Sequence, residues 1–232
     1  MLPCMKQRLT WLCLVLSFQV AQAQWVGVLT YTDNYDIGQI AGKTITTIYE
    51  STGRGRIDSK TYPTKSPNND LAEKDQNELL FDFSKQQKTI LIQNTKLAFT
   101  QALSTEDQRN QQVWQMQGGS VTIENLGSEK VGQFNCIHYA VTTTSTKTKM
   151  SASMPKKNIW ITSDLGNSNI WYVGPYLYYI AGGFQQKKLA DAGVTGVVVK
   201  WQYGDAEAIL TGYQQGPVPA STFAVPSGYT AQ

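Results

Sequence analysis

The sequence predicts a mainly β domain with one main helix, an α+β fold in which an antiparallel sheet lies against that helix. Three observations carry this expectation. About eight to ten short runs either alternate apolar with polar residues or are rich in β-branched and aromatic ones. Clusters of Gly, Pro, Asn and Asp separate these runs. One segment, Tyr176 to Ala192, instead places its apolar residues at helical spacings.

The chain opens with features of a secretory signal. Lys6 and Arg8 precede a mostly apolar stretch from Leu9 to Val20, and Ala21-Gln22-Ala23 supplies a small-x-small cleavage site. A single exported domain, residues 24–232, is therefore expected in the periplasm or outside the cell. The apolar stretch falls short of the roughly 18 residues of a membrane span, and Ser17, Gln19 and Gln22 interrupt its end. Trp11-Leu12 ahead of Cys13 is unlike the small residues that precede a lipid-attachment cysteine. Loss of Lys6 and Arg8 takes the 20 basic residues to 18 against 17 acidic ones, a nearly neutral mature chain. With no basic block interleaved with aromatics, nucleic acid is not an expected partner. Cys4 and Cys13 leave with the signal, so Cys136 has no partner for an intrachain disulfide and reads as a buried thiol.

Gln24 to Thr32, with Trp25, Val26, Val28, Leu29 and Tyr31, reads as the first strand, and Asp33-Asn34-Tyr35-Asp36 as the turn after it. Lys43 to Ser51 carries Thr44, Ile45, Thr46, Thr47 and Ile48 ahead of Tyr49; branched side chains fit a pleat better than a helical turn, so a second strand follows. Gly53-Arg54-Gly55-Arg56-Ile57-Asp58 lacks the GxxxxGK[ST] spacing of a phosphate loop and reads as a hairpin bend entering a charged strand. Tyr62 to Asp75, with Pro63, Pro67 and Ser66-Pro67-Asn68-Asn69-Asp70, is a surface loop. Asn77 to Ser84 alternates Leu79, Phe81 and Phe83 against Leu80, Asp82 and Ser84; Lys88 to Gln93 pairs with it, and Leu97 to Ala102 extends the meander. Ser104 to Gln117 is polar and fits a loop, an insertion or a helix equally well.

Val121 to Leu126 is the next strand, and Gly127-Ser128-Glu129-Lys130 a turn. In the stretch from Val131 to Gly166, Ile137, Tyr139 and Val141 share one strand face while Phe134, Cys136, His138 and Ala140 share the other, as in a central strand. A polar connection, Thr142 to Lys156, leads to Ile159-Trp160-Ile161-Thr162. In the helix from Tyr176 to Ala192, Leu177, Ile180, Ala181 and Phe184 recur at helical spacings, Pro175 suits the first turn and Gly193 the C-terminal cap. Gly182-Gly183 weakens that helix by about 1 kcal/mol per glycine relative to alanine. Val194 to Tyr203 and Ala206 to Tyr213 pair across Gly204-Asp205, and the tail from Pro217 to Tyr229 closes the sheet as an extended or edge segment.

No constellation names a reaction. His138 and Cys136 fall short of the three or four ligands of a zinc site, and no nucleophile motif accompanies them. Asp58, Asp82 and Asp164 lie on separate predicted strands. Hydrolysis by a carboxylate pair needs about 5 to 9.5 Å between the groups, a distance that sequence spacing does not supply. No catalytic residue, metal or cofactor is expected, and the chain is not read as an enzyme.

The succession Ile48-Tyr49-Glu50-Ser51, Gly53-Arg54-Gly55-Arg56-Ile57-Asp58, Leu80-Phe81-Asp82, Gly132-Gln133-Phe134-Asn135-Cys136-Ile137-His138-Tyr139, Ile159-Trp160-Ile161-Thr162 and Phe223-Ala224-Val225-Pro226-Ser227-Gly228-Tyr229 resembles the exported bacterial family labelled domain of unknown function 4412. The order matches from about Thr44 to Tyr229. That family is in turn similar to the half-barrel carriers that move lipoproteins to the outer membrane. The resemblance implies a curved antiparallel sheet or half-barrel wrapped against a helix, with an apolar concavity, and implies no catalytic residues.

The expected function is a periplasmic binding or carrier module for an apolar, lipid-like ligand. Trp160, Trp171, Tyr176, Tyr179, Phe184 and Trp201 are the expected ligand-binding residues, because aromatics with a polar edge suit a pocket that is apolar within and wet at its mouth. The alternative is a non-catalytic structural or interaction module of the envelope, meeting another protein through a sheet edge or through loops such as Thr142 to Lys156.

Overall fold

Runs of alternating and β-branched residues pair in sequence order to build two consecutive meanders, which then join into one sheet. The computed structural model describes residues 23–36, 41–65, 74–75, 78–103, 119–145, 156–171, 180–181 and 189–232. The first meander comprises β1 (Gly27–Asp36), β2 (Ala41–Ser51), β3 (Arg54–Lys65), β5 (Glu78–Asp82), β6 (Gln87–Ile92) and β7 (Leu97–Ala102), with the two-residue β4 (Lys74–Asp75) beside β3. The second comprises β8 (Gly119–Val131), β9 (Phe134–Ser145), β10 (Lys157–Thr162), β13 (Val197–Tyr203) and β14 (Ala206–Gln215). β1 pairs antiparallel with β14 and forms the seam. The result, among the described residues, is a curved, unclosed 13-stranded sheet.

Register defines the two faces. Leu29 lies opposite Ile48, Tyr31 opposite Thr46 and Asp33 opposite Thr44, while Ile48 faces Ile57, which faces Leu79. Across the seam, Asp33 lies opposite Ala208, Ala208 opposite Trp201 and Trp201 opposite Ile159. These side chains share the inner face, which carries the main hydrophobic core. On the outer face the C-terminal segment crosses back: Arg56 donates to the Thr222 carbonyl at 3.1 Å, and β15 (Thr230–Ala231) pairs in parallel with β7. Tyr229 thereby covers a second apolar cluster of Leu80, Leu91 and Ala98.

The expected main helix is not found. Ile180–Ala181 is instead a short strand, β12, paired antiparallel with β11 (Ile170–Trp171), and the described part of the segment that is helical is Leu189 to Asp191. Among the described residues no helix reaches 7 residues. The backbone groups of Ile180 and Ala181 bond to a neighbouring strand rather than along a helix, in keeping with the helix-weakening Gly182-Gly183 that follows. The rest of the expected helix lies outside the described residues.

Two expected turns are also strand. Asp33 to Asp36 continues β1 because β2 pairs with it as far as Asp36 and β14 as far as Asn34. Gly127 to Lys130 continues β8 through a bulge, where Gly127 adopts φ 105° and its N–H is accepted by Asn125 Oδ1 at 2.8 Å. The turn into β9 comes at Gly132-Gln133. β3 likewise runs on to Lys65, into the expected loop; Ser66 to Asp70, the expected signal up to Gln22, and Ser104 to Gln117 lie outside the described residues. No helix among the described residues is long and apolar enough to cross a membrane.

Candidate functional site

The inner face changes character along the strands. At the end nearest the β2–β3 turn, Leu29, Ile48, Ile57, Leu79 and Phe81 form an apolar floor. Leu165, Ile170, Trp171, Leu189 and Val194, from the connection between β10 and β13, pack onto this floor. A Cβ on Gly55 would collide with Ile170 Cδ1, so glycine makes room for the crossing chain.

Towards the other end the inner face is buried yet polar. Asp33 and Thr46 are each 1 % exposed and Thr44 2 %. Buried hydroxyls need partners, and these pair across strands: Thr44 with Thr61 at 3.2 Å and Thr46 with Ser59 at 2.9 Å. Tyr31 donates its hydroxyl to the Val198 carbonyl at 2.7 Å, and burial pushes its phenol well above its ordinary range. Across the seam at the same level stand Trp201 and Tyr203, their rings stacked at 6.3 Å, with Lys157 directly opposite Tyr203.

Of the six expected ligand-binding residues, Tyr176, Tyr179 and Phe184 lie outside the described residues. Trp171 and Trp201 join the core cluster, each 3 % exposed, in company with Trp25. The buried indole N–H groups of all three find no hydrogen-bond acceptor. Trp160, 5 % exposed, belongs to the same cluster, but it alternates with Ile159 and turns its ring to the other side of β10. Its ring stacks on His138 at 4.1 Å, Lys200 lies 5.0 Å over it, and its N–H is accepted by Glu129 Oε2 at 2.8 Å. His138 also contacts Asn158 Oδ1 at 3.0 Å and Glu129 Oε2 at 3.5 Å. That arrangement explains a hydrogen-bonded, packed histidine.

Glu50 anchors the crossing connection. Its carboxylate is fully buried, accepts the Asn169 N–H at 2.9 Å and touches Ser168 Oγ. Ser168 Oγ also lies 2.6 Å from the Ile170 carbonyl and accepts the Ile170 N–H at 3.1 Å. One hydroxyl proton cannot serve two acceptors; a proton on Glu50 donated to Ser168 Oγ completes the set. Burial pushes the Glu50 carboxyl up to about 7, which favours that proton.

The remaining candidate chemistry is separately engaged. A cleft of about 410 Å³ at the β8–β10 end is lined by Cys136, Glu129, Lys130, Asn135 and Asp164 among others. Cys136 is 2 % exposed and burial pushes its thiol up to about 11, leaving it protonated at neutral pH. Asp164 accepts the Asn135 N–H at 3.1 Å, and Asp58 pairs with Arg56 at 2.7 Å. Asp82 accepts from Ser84 at 2.6 Å and from the Lys85 N–H, which hold its carboxyl below the usual range. Among the described residues no group of three His, Cys, Asp or Glu side chains is placed to hold a metal ion.

The sequence assigned no site role to the polar band, to Glu50 beyond its place in the family motif, or to Lys157, which reads as one of the solvated lysines around the Thr142 to Lys156 connection. A usable signal was present: Thr44, Thr46, Ile48 and Glu50 share strand parity, so an inward Ile48 carries two threonines and a glutamate inward with it.

No curated protein and no solved structure matches the chain. One family model does, a domain of unknown function, DUF4412, over residues 34–229, which include β2 to β14 and the strap over the outer face. The chain belongs to the DUF4412 family.

Proposed function

We propose that this protein is a non-catalytic binding or carrier module of the bacterial envelope, exported through its N-terminal signal, that holds a lipid-like ligand against the inner face of its open sheet. The observation that carries this reading is the trio of buried indole N–H groups, Trp25, Trp171 and Trp201, without acceptors in an otherwise apolar cluster. Leaving such a donor unpaired costs about 1–3 kcal/mol. A ligand with an acceptor near its apolar body recovers that loss, whereas a pure hydrocarbon does not. The apolar floor is covered by the β10–β13 connection, so the polar band and the stacked Trp201 and Tyr203 beyond it are the part of the inner face that suits an amphiphile. A curved, unclosed sheet is the shape that a kinship with the half-barrel lipoprotein carriers would require. The protonated thiol of Cys136 and the separate engagements of Asp58, Asp82 and Asp164 favour binding over catalysis.

Native mass spectrometry and organic extraction of the purified mature protein test the reading. A co-purifying amphiphile of defined mass is the expected result; protein that stays ligand-free and takes up no added amphiphile overturns it. A second reading rests on β8, a 13-residue edge strand with Leu126 47 % exposed, which offers backbone groups for strand addition by a partner protein. Recovery of only the monomer after crosslinking in cells would remove it.

A further inference from the structure

The connection latched by Glu50, the Trp160 ladder and the cleft beside Cys136 all have internal partners that account for their residues. Lys157 does not. It opens β10, half-buried on the inner face, with Tyr203 opposite on β13 and Val141 opposite on β9. Among the described residues its ammonium has no hydrogen-bond or ion-pair partner. The inner-face carboxylate at its end of the sheet, Asp33, sits three strands away, about 14 Å measured along the sheet. A half-buried ammonium keeps only part of its hydration, and a counter-charge would make up the rest. Burial alone lowers its ammonium to about 8.

A second, independent feature stands beside it. Trp201 precedes Tyr203 by two residues on the same face, which makes it the diagonal neighbour of Lys157 at about 7–8 Å between backbones. Its indole N–H is buried without an acceptor. A cation and a neutral donor therefore flank one position, next to the stacked Trp201 and Tyr203 rings and beyond the apolar floor. One ligand group satisfies both: an anionic head with several acceptor oxygens. Cationic and purely apolar heads leave the ammonium uncompensated.

Building on the carrier reading, we infer that Lys157 and Trp201 form the head-group subsite of the inner face, selecting amphiphiles with a carboxylate or phosphate head. In this arrangement the Lys157 ammonium pairs with the anion and the Trp201 N–H donates to a second oxygen.

The test uses the mature protein with two probes of equal chain length, dodecanoate and 1-dodecanol, below their aggregation limits, followed by tryptophan fluorescence and native mass spectrometry. Lys157→Met keeps the stem and removes the charge. The expected result is a loss of about tenfold or more in dodecanoate affinity with dodecanol affinity unchanged, the scale of a charge-assisted hydrogen bond. Lys157→Gln, read the same way, serves if the Met variant does not fold. Wild-type protein that binds both probes, with a variant that weakens both equally or neither, overturns the subsite and leaves the carrier reading standing. Wild-type protein that binds neither probe overturns the carrier reading itself.

Discussion

The buried carboxyl of Glu50 should contribute a stability that falls with rising pH across a defined window. The unfolded reference lies near 4.5 and burial raises the folded value to about 7. The folded state thus binds more protons between these limits. Glu50's contribution is fully present below pH 4.5, declines as pH rises through about 7, and is constant above that. The difference corresponds to about 3 kcal/mol at 1.36 kcal/mol per pH unit. Glu50→Gln isolates this effect, because the amide oxygen still accepts the Asn169 N–H and the amide N–H donates to Ser168 Oγ as the protonated acid does. Urea unfolding followed by tryptophan fluorescence from pH 4 to 8 should show wild-type stability declining relative to the variant, with the variant ahead by about 3 kcal/mol at pH 8. Parallel profiles, or a variant less stable than wild type at pH 8, would refute the proton-sharing account of Glu50 and Ser168.

Three further outcomes follow from the fold. Cys136 should resist a thiol-selective disulfide reagent at pH 8 in the folded protein and react at a rate set by unfolding, since its thiolate fraction is about one in a thousand; fast labelling under native conditions would contradict the burial. Arg56→Gln removes the contacts to Asp58, Glu78 and Thr222, and should cost about 1–3 kcal/mol and expose residues 216–229 to limited proteolysis before the rest of the chain; unchanged cleavage would show that β15 alone holds the strap. Gly127→Val should destabilise by about 1–3 kcal/mol through backbone strain alone, because a Cβ there meets nothing within 4 Å while φ is 105°; a neutral result in thermal unfolding would mean that the bulge relaxes.

The strands were legible wherever a residue's parity and its neighbours agreed. Ile48, Leu79 and Phe81 announced an inward face, and Gly53 a hairpin turn, because local pattern and local pairing coincide there. Asp33 to Asp36 misled because three turn-forming residues around Tyr35 are held extended by β2 along their whole length and, at Asp33 and Asn34, by the sequence-distant β14 as well. Gly127 misled for a related reason: glycine marks positive φ, and a bulge needs it as much as a turn does. The helix failed where it is described because Ile180 and Ala181 pair with a neighbouring strand, and apolar spacing does not distinguish the two over so short a run. As for the candidate site, counting aromatics singled out Trp171 and Trp201, which lie buried in the core, but could not tell that Trp160 turns to the opposite face. Lys157 was hidden because a lysine in a polar connection reads as solvated until its strand and its opposite neighbours are known.

The seam between β1 and β14 sets an order of events during synthesis. β1 emerges first, and β2 can satisfy one of its edges at once, but the other edge waits for residues 206–215, close to the end of the chain. Each meander has mostly local pairings and can form on its own schedule, so the slow step is the docking of one finished half onto the other. Until then a long, apolar strand edge at the start of the chain stays open. A protein built this way gains from being kept unfolded until its last strand is available.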